Sequence, residues 1–157
     1  MTTARSILLV EDNEDDVFLM KRALKGANIS NPLCNVEDGQ QAIDYLSGNG
    51  QFADREEYPI PAIVFLDLKL PLRSGLEVLE WIRGQSGFEN LVVLVLTSSN
   101  EPSDLKRAYG LGANSYLVKP PTAAQLLELA KAFKWYWLEF NRYEESATAS
   151  APSGGNA

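Results

Sequence analysis

Five short apolar runs punctuate the chain, at Ile7 to Val10, Leu33 to Val36, Ile63 to Leu66, Leu91 to Leu96 and Tyr116 to Val118. Each precedes a stretch whose apolar positions recur at helical spacing: Asp15 to Ala27, Gln40 to Leu46, Leu76 to Arg83, Asp104 to Leu111, and Gln125 to about Asn141. Such alternation is the signature of parallel strands crossed by helices. The first, third and fourth runs are almost wholly apolar, as central strands buried on both faces are. The pattern predicts a doubly wound α/β domain over residues 5–141.

Local signals mark several boundaries. Asn13 is placed to cap the first helix, and Thr122 with Gln125 fits the S/T-x-x-E/Q box, with Pro121 ending the strand before it. Ser47 to Pro61 is rich in Gly, Pro and charge and predicts a long surface loop. Toward the end, Glu, Ser, Ala, Thr and Gly dominate without periodicity, which predicts a disordered tail over 142–157. In the last helix Leu126, Leu129, Ala130, Phe133, Trp137 and Phe140 form one stripe that faces the core. Trp135, Tyr136 and Leu138 fall outside it, and that aromatic cluster predicts burial against another chain, here read as a homodimer.

Composition narrows the function. With 157 residues, 45% of them hydrophobic, the chain has material for one buried core. Fourteen Lys and Arg stand against 21 Asp and Glu, a net charge of −7, which opposes nucleic acid or anionic lipid as a partner. Cys34 is the only cysteine, so no intramolecular disulfide forms. No apolar run approaches a membrane span, and Met1 to Ser6 carries none, so a soluble cytoplasmic protein is expected. Histidine is absent. Chemistry falls to carboxylates, hydroxyls and lysine.

In a doubly wound sheet, ligands bind beyond the carboxyl ends of the strands, near the point where strand order reverses. Glu11 and Asp12 end the first strand, Asp67 the third, Thr97 the fourth and Lys119 the fifth. Three carboxylates in one cleft repel each other unless a cation neutralises them. An all-oxygen site selects a hard ion, and Mg²⁺, with Mn²⁺ able to substitute, suits carboxylates that share it with phosphate oxygens. A carboxylate beside such an ion and a fixed ammonium can attack phosphorus and form an aspartyl phosphate. Asp67 is the expected nucleophile, with Lys119 and the Thr97 hydroxyl bonding phosphoryl oxygens.

At these positions the chain resembles the receiver domain of response regulators: Val-Glu-Asp at 10–12, Leu-Asp-Leu-Lys-Leu-Pro at 66–71, Leu-Thr-Ser at 96–98 and Lys-Pro at 119–120. The resemblance spans roughly residues 5 to 135. It implies a flavodoxin-like (βα)₅ fold with sheet order 2-1-3-4-5. It implies Mg²⁺ on Asp12, Asp67 and the Lys69 carbonyl, with Glu11 acting through water, phosphorylation of Asp67, and a cis peptide at Lys119–Pro120. Gly75 matches the family's turn into the third helix. Tyr116 sits where the family carries an aromatic switch coupled to the threonine, here Thr97. Lys69 and Ser99 replace a frequent Asn and Glu of the chemotaxis type at positions that tune dephosphorylation.

The long loop and extended last helix are similar to stand-alone regulators paired with phytochrome-type histidine kinases. With no effector domain expected after Asn141, output falls to protein contacts or phosphorelay, and the implied dimer face is helix 4, strand 5 and helix 5. A haloacid-dehalogenase-like phosphatase fits less well, because its D-x-D motif is missing and Lys69 stands at the general-acid position. A receiver-like interaction module that works without phosphorylation is the other alternative.

Overall fold

The computed structural model describes residues 5–144. Strands β1 (Ile7–Val10), β2 (Leu33–Val36), β3 (Ile63–Leu66), β4 (Val92–Thr97) and β5 (Ser115–Val118) form one parallel sheet in the order β2-β1-β3-β4-β5. The flavodoxin-like arrangement is as the resemblance implied. The chain leaves β1 toward β2 and then returns across it to β3, so strand order reverses between β1 and β3. Val10 is aligned with Val36 on one side and Leu66 on the other, which ends these strands level and sets the residues that follow side by side.

Alternation along the strands builds a core on each face of the sheet. Ile7, Leu9, Ile63, Phe65, Val92 and Leu94 pack beneath α1 (Glu14–Gly26) and α5 (Ala123–Phe133). Leu8, Val10, Val64, Leu66 and Val93 pack beneath α2 (Gly39–Ser47) and α3 (Gly75–Arg83). A smaller cluster of Leu68, Leu76, Val95 and Ala108 joins α3 to α4 (Pro102–Gly110) over β4. Both faces are covered, which is why the central strands read as unbroken apolar runs.

Asn13 caps α1 as expected, its side chain accepting from the Asp16 N–H at 3.0 Å. At α5 only half of the expected box forms: Thr122 Oγ1 accepts from the Gln125 N–H, while the Gln125 side chain meets that hydroxyl. The reciprocal box is at α3, where Ser74 and Glu77 exchange hydrogen bonds of 2.8 and 3.2 Å.

The stretch read as a surface loop is folded. It carries a 3₁₀ turn at Gly50–Phe52, and the Phe52 and Tyr58 rings pack on Tyr45 with centroids 5.2 and 5.9 Å away. Arg55 donates to the carbonyls of Tyr45 and Leu46, both at 2.8 Å, satisfying the open end of α2.

Three expectations need correction. Beyond Phe133 the last helix continues as a π-helix over Lys134–Phe140. Bonds from i to i+5 put more than four residues in each turn, so Trp137 and Leu138 pack on the α1–α5 core while Phe140 is 72% exposed. Leu138 therefore belongs to the domain's own packing, and Phe140, expected inside, joins the exposed Trp135 and Tyr136. Lys119–Pro120 is trans, since no cis peptide occurs among the described residues, and trans is favoured for X–Pro by about 0.5–1 kcal/mol. Tyr143, inside the stretch expected as tail, packs against the same core, its hydroxyl donating to the Trp137 carbonyl at 2.7 Å. The remainder of that tail, from residue 145, lies outside the described residues.

Candidate functional site

The backbone ladder positions the carboxylates. Asp67 N–H donates to the Val10 carbonyl at 3.1 Å and Glu11 N–H to the Val36 carbonyl at 3.0 Å, which holds the two residues at the reversal point of the sheet. Glu11 Oε2 accepts from the Asn13 N–H and Asp67 Oδ1 from the Lys69 N–H, at 3.1 and 3.3 Å. Glu11 and Asp67 are 4% and 6% exposed, whereas Asp12 is exposed. Carboxylate oxygens of Glu11, Asp12 and Asp67 lie within 4.8 Å of one another. That donor set fits a hard divalent ion that keeps part of its water shell.

Lys119 closes the cluster. Its Nζ is 2.7 Å from Glu11 Oε1, 2.8 Å from Asp16 Oδ2 and 3.0 Å from Asp67 Oδ2. Burial by itself depresses the ammonium's pKa, but bonds to Asp16, Glu11 and Asp67 outweigh it and hold the pKa above the ordinary lysine value. Burial raises the pKa of Glu11, with the Asp67 charge adding to it, and the bonds from Lys119 and the Asn13 N–H oppose the rise without cancelling it. The site is thus an anionic recess with one fixed cation.

Thr97 is wholly buried at the end of β4, and its Oγ1 accepts from the Ser99 N–H at 3.4 Å. Tyr116 lies half-buried on β5, and its hydroxyl donates to the Ser99 carbonyl at 3.0 Å. Ser99, also buried, donates from Oγ to Asp104 Oδ2 at 2.6 Å, so the turn after Thr97 is tied to both β5 and α4. The side chain of Lys69 is exposed at the rim. Trp135 and Tyr136 sit on the π-helix, outside the strand-end cluster.

Three contributors were missed. Asp16, in the first turn of α1, is the third partner of Lys119; the Asn13 cap, which starts that turn, was the available signal. Gly39 leaves no room for a side chain, since a Cβ there would lie 2.0 Å from the Arg73 carbonyl oxygen. Leu72 has φ of +67° and is 80% exposed, at the centre of a three-residue turn closed by Arg73 N–H on the Pro71 carbonyl at 2.7 Å. The reason for glycine at position 75 is geometric: a Cβ would fall 2.1 Å from the Asp67 carbonyl oxygen.

Residues 7–131 match the family described as the response regulator receiver domain. The chain belongs to this family. As a receiver domain it is 38% identical over 139 residues to the probable methanogenesis regulatory protein FilR2 of Methanothrix harundinacea, covering 87% of this chain and 85% of FilR2. Response regulator Rcp1 of Synechocystis is 35% identical over 133 residues, covering 85% of this chain and 88% of Rcp1. The Mn²⁺-bound form of Rcp1 superposes with a TM-score of 0.80 at 33% identity, covering 89% of this chain and 99% of Rcp1. The phosphorylated cyanobacterial phytochrome response regulator RcpA superposes with a TM-score of 0.82 at 31% identity, covering 89% and 98%. Receiver-domain regulators are signalling proteins, and the acidic recess of this one suits a divalent metal.

Proposed function

We propose that the protein is a response regulator whose receiver domain takes a phosphoryl group from a sensor histidine kinase onto Asp67. The observation that carries this reading is the 3.0 Å approach of Lys119 Nζ to Asp67 Oδ2 inside the Glu11–Asp12–Asp67 recess. A carboxylate oxygen of Asp67 attacks phosphorus, the P–N bond of a phosphohistidine breaks, and the imidazole departs with the electron pair. This chain has no histidine, so the donor residue lies outside it. Lys119 neutralises one phosphoryl oxygen and Thr97 offers its hydroxyl to a second.

Asp12, Asp67 and the Lys69 carbonyl would hold Mg²⁺, or Mn²⁺ in its place, with Glu11 acting through water. That ion, when bound, draws charge from the transferring group. The same residues assist transfer from small phosphodonors and later hydrolysis, which Lys69 and Ser99 tune from either side of the acceptor.

Output follows from coupling. Movement of Thr97 toward the phosphoryl group draws on the Ser99 turn that Tyr116 bonds, so the β5 surface reports the state of Asp67. The exposed Leu105, Tyr109 and Val118 of α4 and β5, with Trp135 and Tyr136, support a homodimer through the α4–β5–α5 side. The likeness to Rcp1 and RcpA supports a bacteriophytochrome-type kinase as donor. Among the described residues no helix is long and apolar enough to cross a membrane, and the negative charge disfavours nucleic acid, in keeping with cytoplasmic signalling between proteins.

The test is intact mass and size-exclusion elution after incubation with acetyl phosphate, with and without Mg²⁺, for wild type and Asp67→Asn. One Mg²⁺-dependent phosphoryl adduct absent from Asp67→Asn is expected, with an elution shift if phosphorylation drives dimerisation. No adduct on a folded protein would overturn the reading in favour of a phosphorylation-independent interaction module.

A further inference from the structure

The last helix changes hydrogen-bond register at Phe133. It continues without a break as seven residues of π-helix, whereas π-helices occur mostly as single-turn bulges. The Asn141 N–H donates to the Tyr136 carbonyl at 2.7 Å, an i to i−5 bond. In α-helical register the same N–H pairs with the Trp137 carbonyl. Here that carbonyl accepts instead from the Tyr143 hydroxyl, at 2.7 Å, where the tyrosine stands in for the Asn141 N–H. Tyr143 is held in turn, with the Arg5 guanidinium 3.9 Å from its ring centroid.

The apolar pattern of this segment favours the other register. Phe133, Trp137 and Phe140 recur at α-helical spacing and continue the stripe of Leu126, Leu129 and Ala130. In the π-register Leu138 packs, partly buried, against the core, and Phe140 stacks outside on Trp135 with centroids 5.9 Å apart. Leu138 and Phe140 therefore compete for one place.

We infer that Tyr143 is a register lock: by occupying the Trp137 carbonyl its hydroxyl holds residues 134–140 in the π-register, and its release returns the segment to α-helix with Phe140 inside and Leu138 outside. Each register satisfies the Trp137 carbonyl once, by the tyrosine O–H or by the Asn141 N–H, so neither leaves an orphaned acceptor. The exposed trio Trp135, Tyr136 and Phe140 exists as such only in the locked register. A partner that covers the trio stabilises the lock, and loss of the lock weakens that partner. None of this requires phosphorylation.

Tyr143→Phe tests the lock, because it keeps the ring beneath Arg5 and removes only the donor. The coupling across the Asn141 amide hydrogen bond, measured by NMR, should reach the Tyr136 carbonyl carbon in wild type and the Trp137 carbonyl carbon in Tyr143→Phe. As a second readout, Leu138→Cys and Phe140→Cys are made separately in a Cys34→Ser background and labelled with a maleimide. Position 140 should react faster while Tyr143 is present, and Tyr143→Phe should lower the 140-to-138 rate ratio by roughly tenfold. Coupling to Trp137 already in wild type, or an unchanged acceptor and rate ratio in Tyr143→Phe, would overturn the inference.

Discussion

Lys119 Nζ lies 3.0 Å from Asp67 Oδ2, although the two residues follow strands that are separated in the sheet by β4. The lysine stem spans the end of that strand, and its ammonium ends among Glu11, Asp16 and Asp67. One cation therefore holds together acids from the first strand's end, the first helix and the third strand's end.

Removing that cation leaves anions close together with little solvent to screen them. Lys119→Met is expected to cost about 1–3 kcal/mol of stability without metal, less than for a fully buried pair because Asp16 and part of Lys119 meet water. Mg²⁺ should restore much of the loss by replacing the missing charge, and acceptance from acetyl phosphate should fall steeply. Urea midpoints with and without Mg²⁺, together with intact mass, measure both effects.

Glu11 sets a pH dependence. Its folded pKa is raised above 4.5, so burying its charge works against folding at neutral pH, and the penalty fades as pH falls through the folded pKa toward 4.5. Glu11→Gln is therefore expected to raise the metal-free Tm at pH 7 by a few degrees, at about 2–4 °C per kcal/mol for a chain of this size. The gain should shrink toward pH 4.5, while the variant binds Mg²⁺ more weakly. Calorimetric scans across pH and a Mg²⁺ titration check the pair of outcomes.

Gly75 and Gly39 leave space that no side chain can share. A Cβ at Gly75 would lie 2.1 Å from the carbonyl oxygen of Asp67 itself, and one at Gly39 2.0 Å from that of Arg73. Both alanine variants should lose about 1–3 kcal/mol as the backbone shifts to relieve the clash. Only Gly75→Ala should also slow phosphoryl acceptance markedly, because the residue it displaces is the acceptor. Comparing urea midpoints with phosphorylation rates for the two separates the effects.

Arg83 acts at a distance from the chemistry. Its guanidinium donates to the carbonyls of Gly112, Phe88 and Leu91 at 2.8–3.0 Å and to Asn114 Oδ1 at 2.9 Å, tying the end of α3 to the turns before β4 and β5. Burial lowers its pKa, but arginine remains charged at neutral pH. Arg83→Lys cannot reproduce the planar fork and should cost about 2–3 kcal/mol, with phosphorylation rates nearly unchanged. Chemical denaturation and acetyl phosphate kinetics provide the check.

The order of elements and the convergence of Glu11, Asp12, Asp67 and Lys119 were legible in the sequence alone. Strands buried on both faces leave continuous apolar runs, and the residues that end such runs in a parallel sheet share one edge, so local pattern sufficed. The tertiary structure alone decided what depends on partners remote in sequence. Asp16 joins Lys119 because α1 starts beside the end of β5, and Arg55 makes a folded unit of an apparent loop by capping α2. Periodicity predicted one α-helix to about Asn141 with Phe140 inside. The bond from Tyr143 to the Trp137 carbonyl sets a different register, packing Leu138 against the core and turning Phe140 to solvent. A spacing rule holds only while the helix keeps the hydrogen bonds the rule assumes, and here a side chain from beyond the helix replaced one of them.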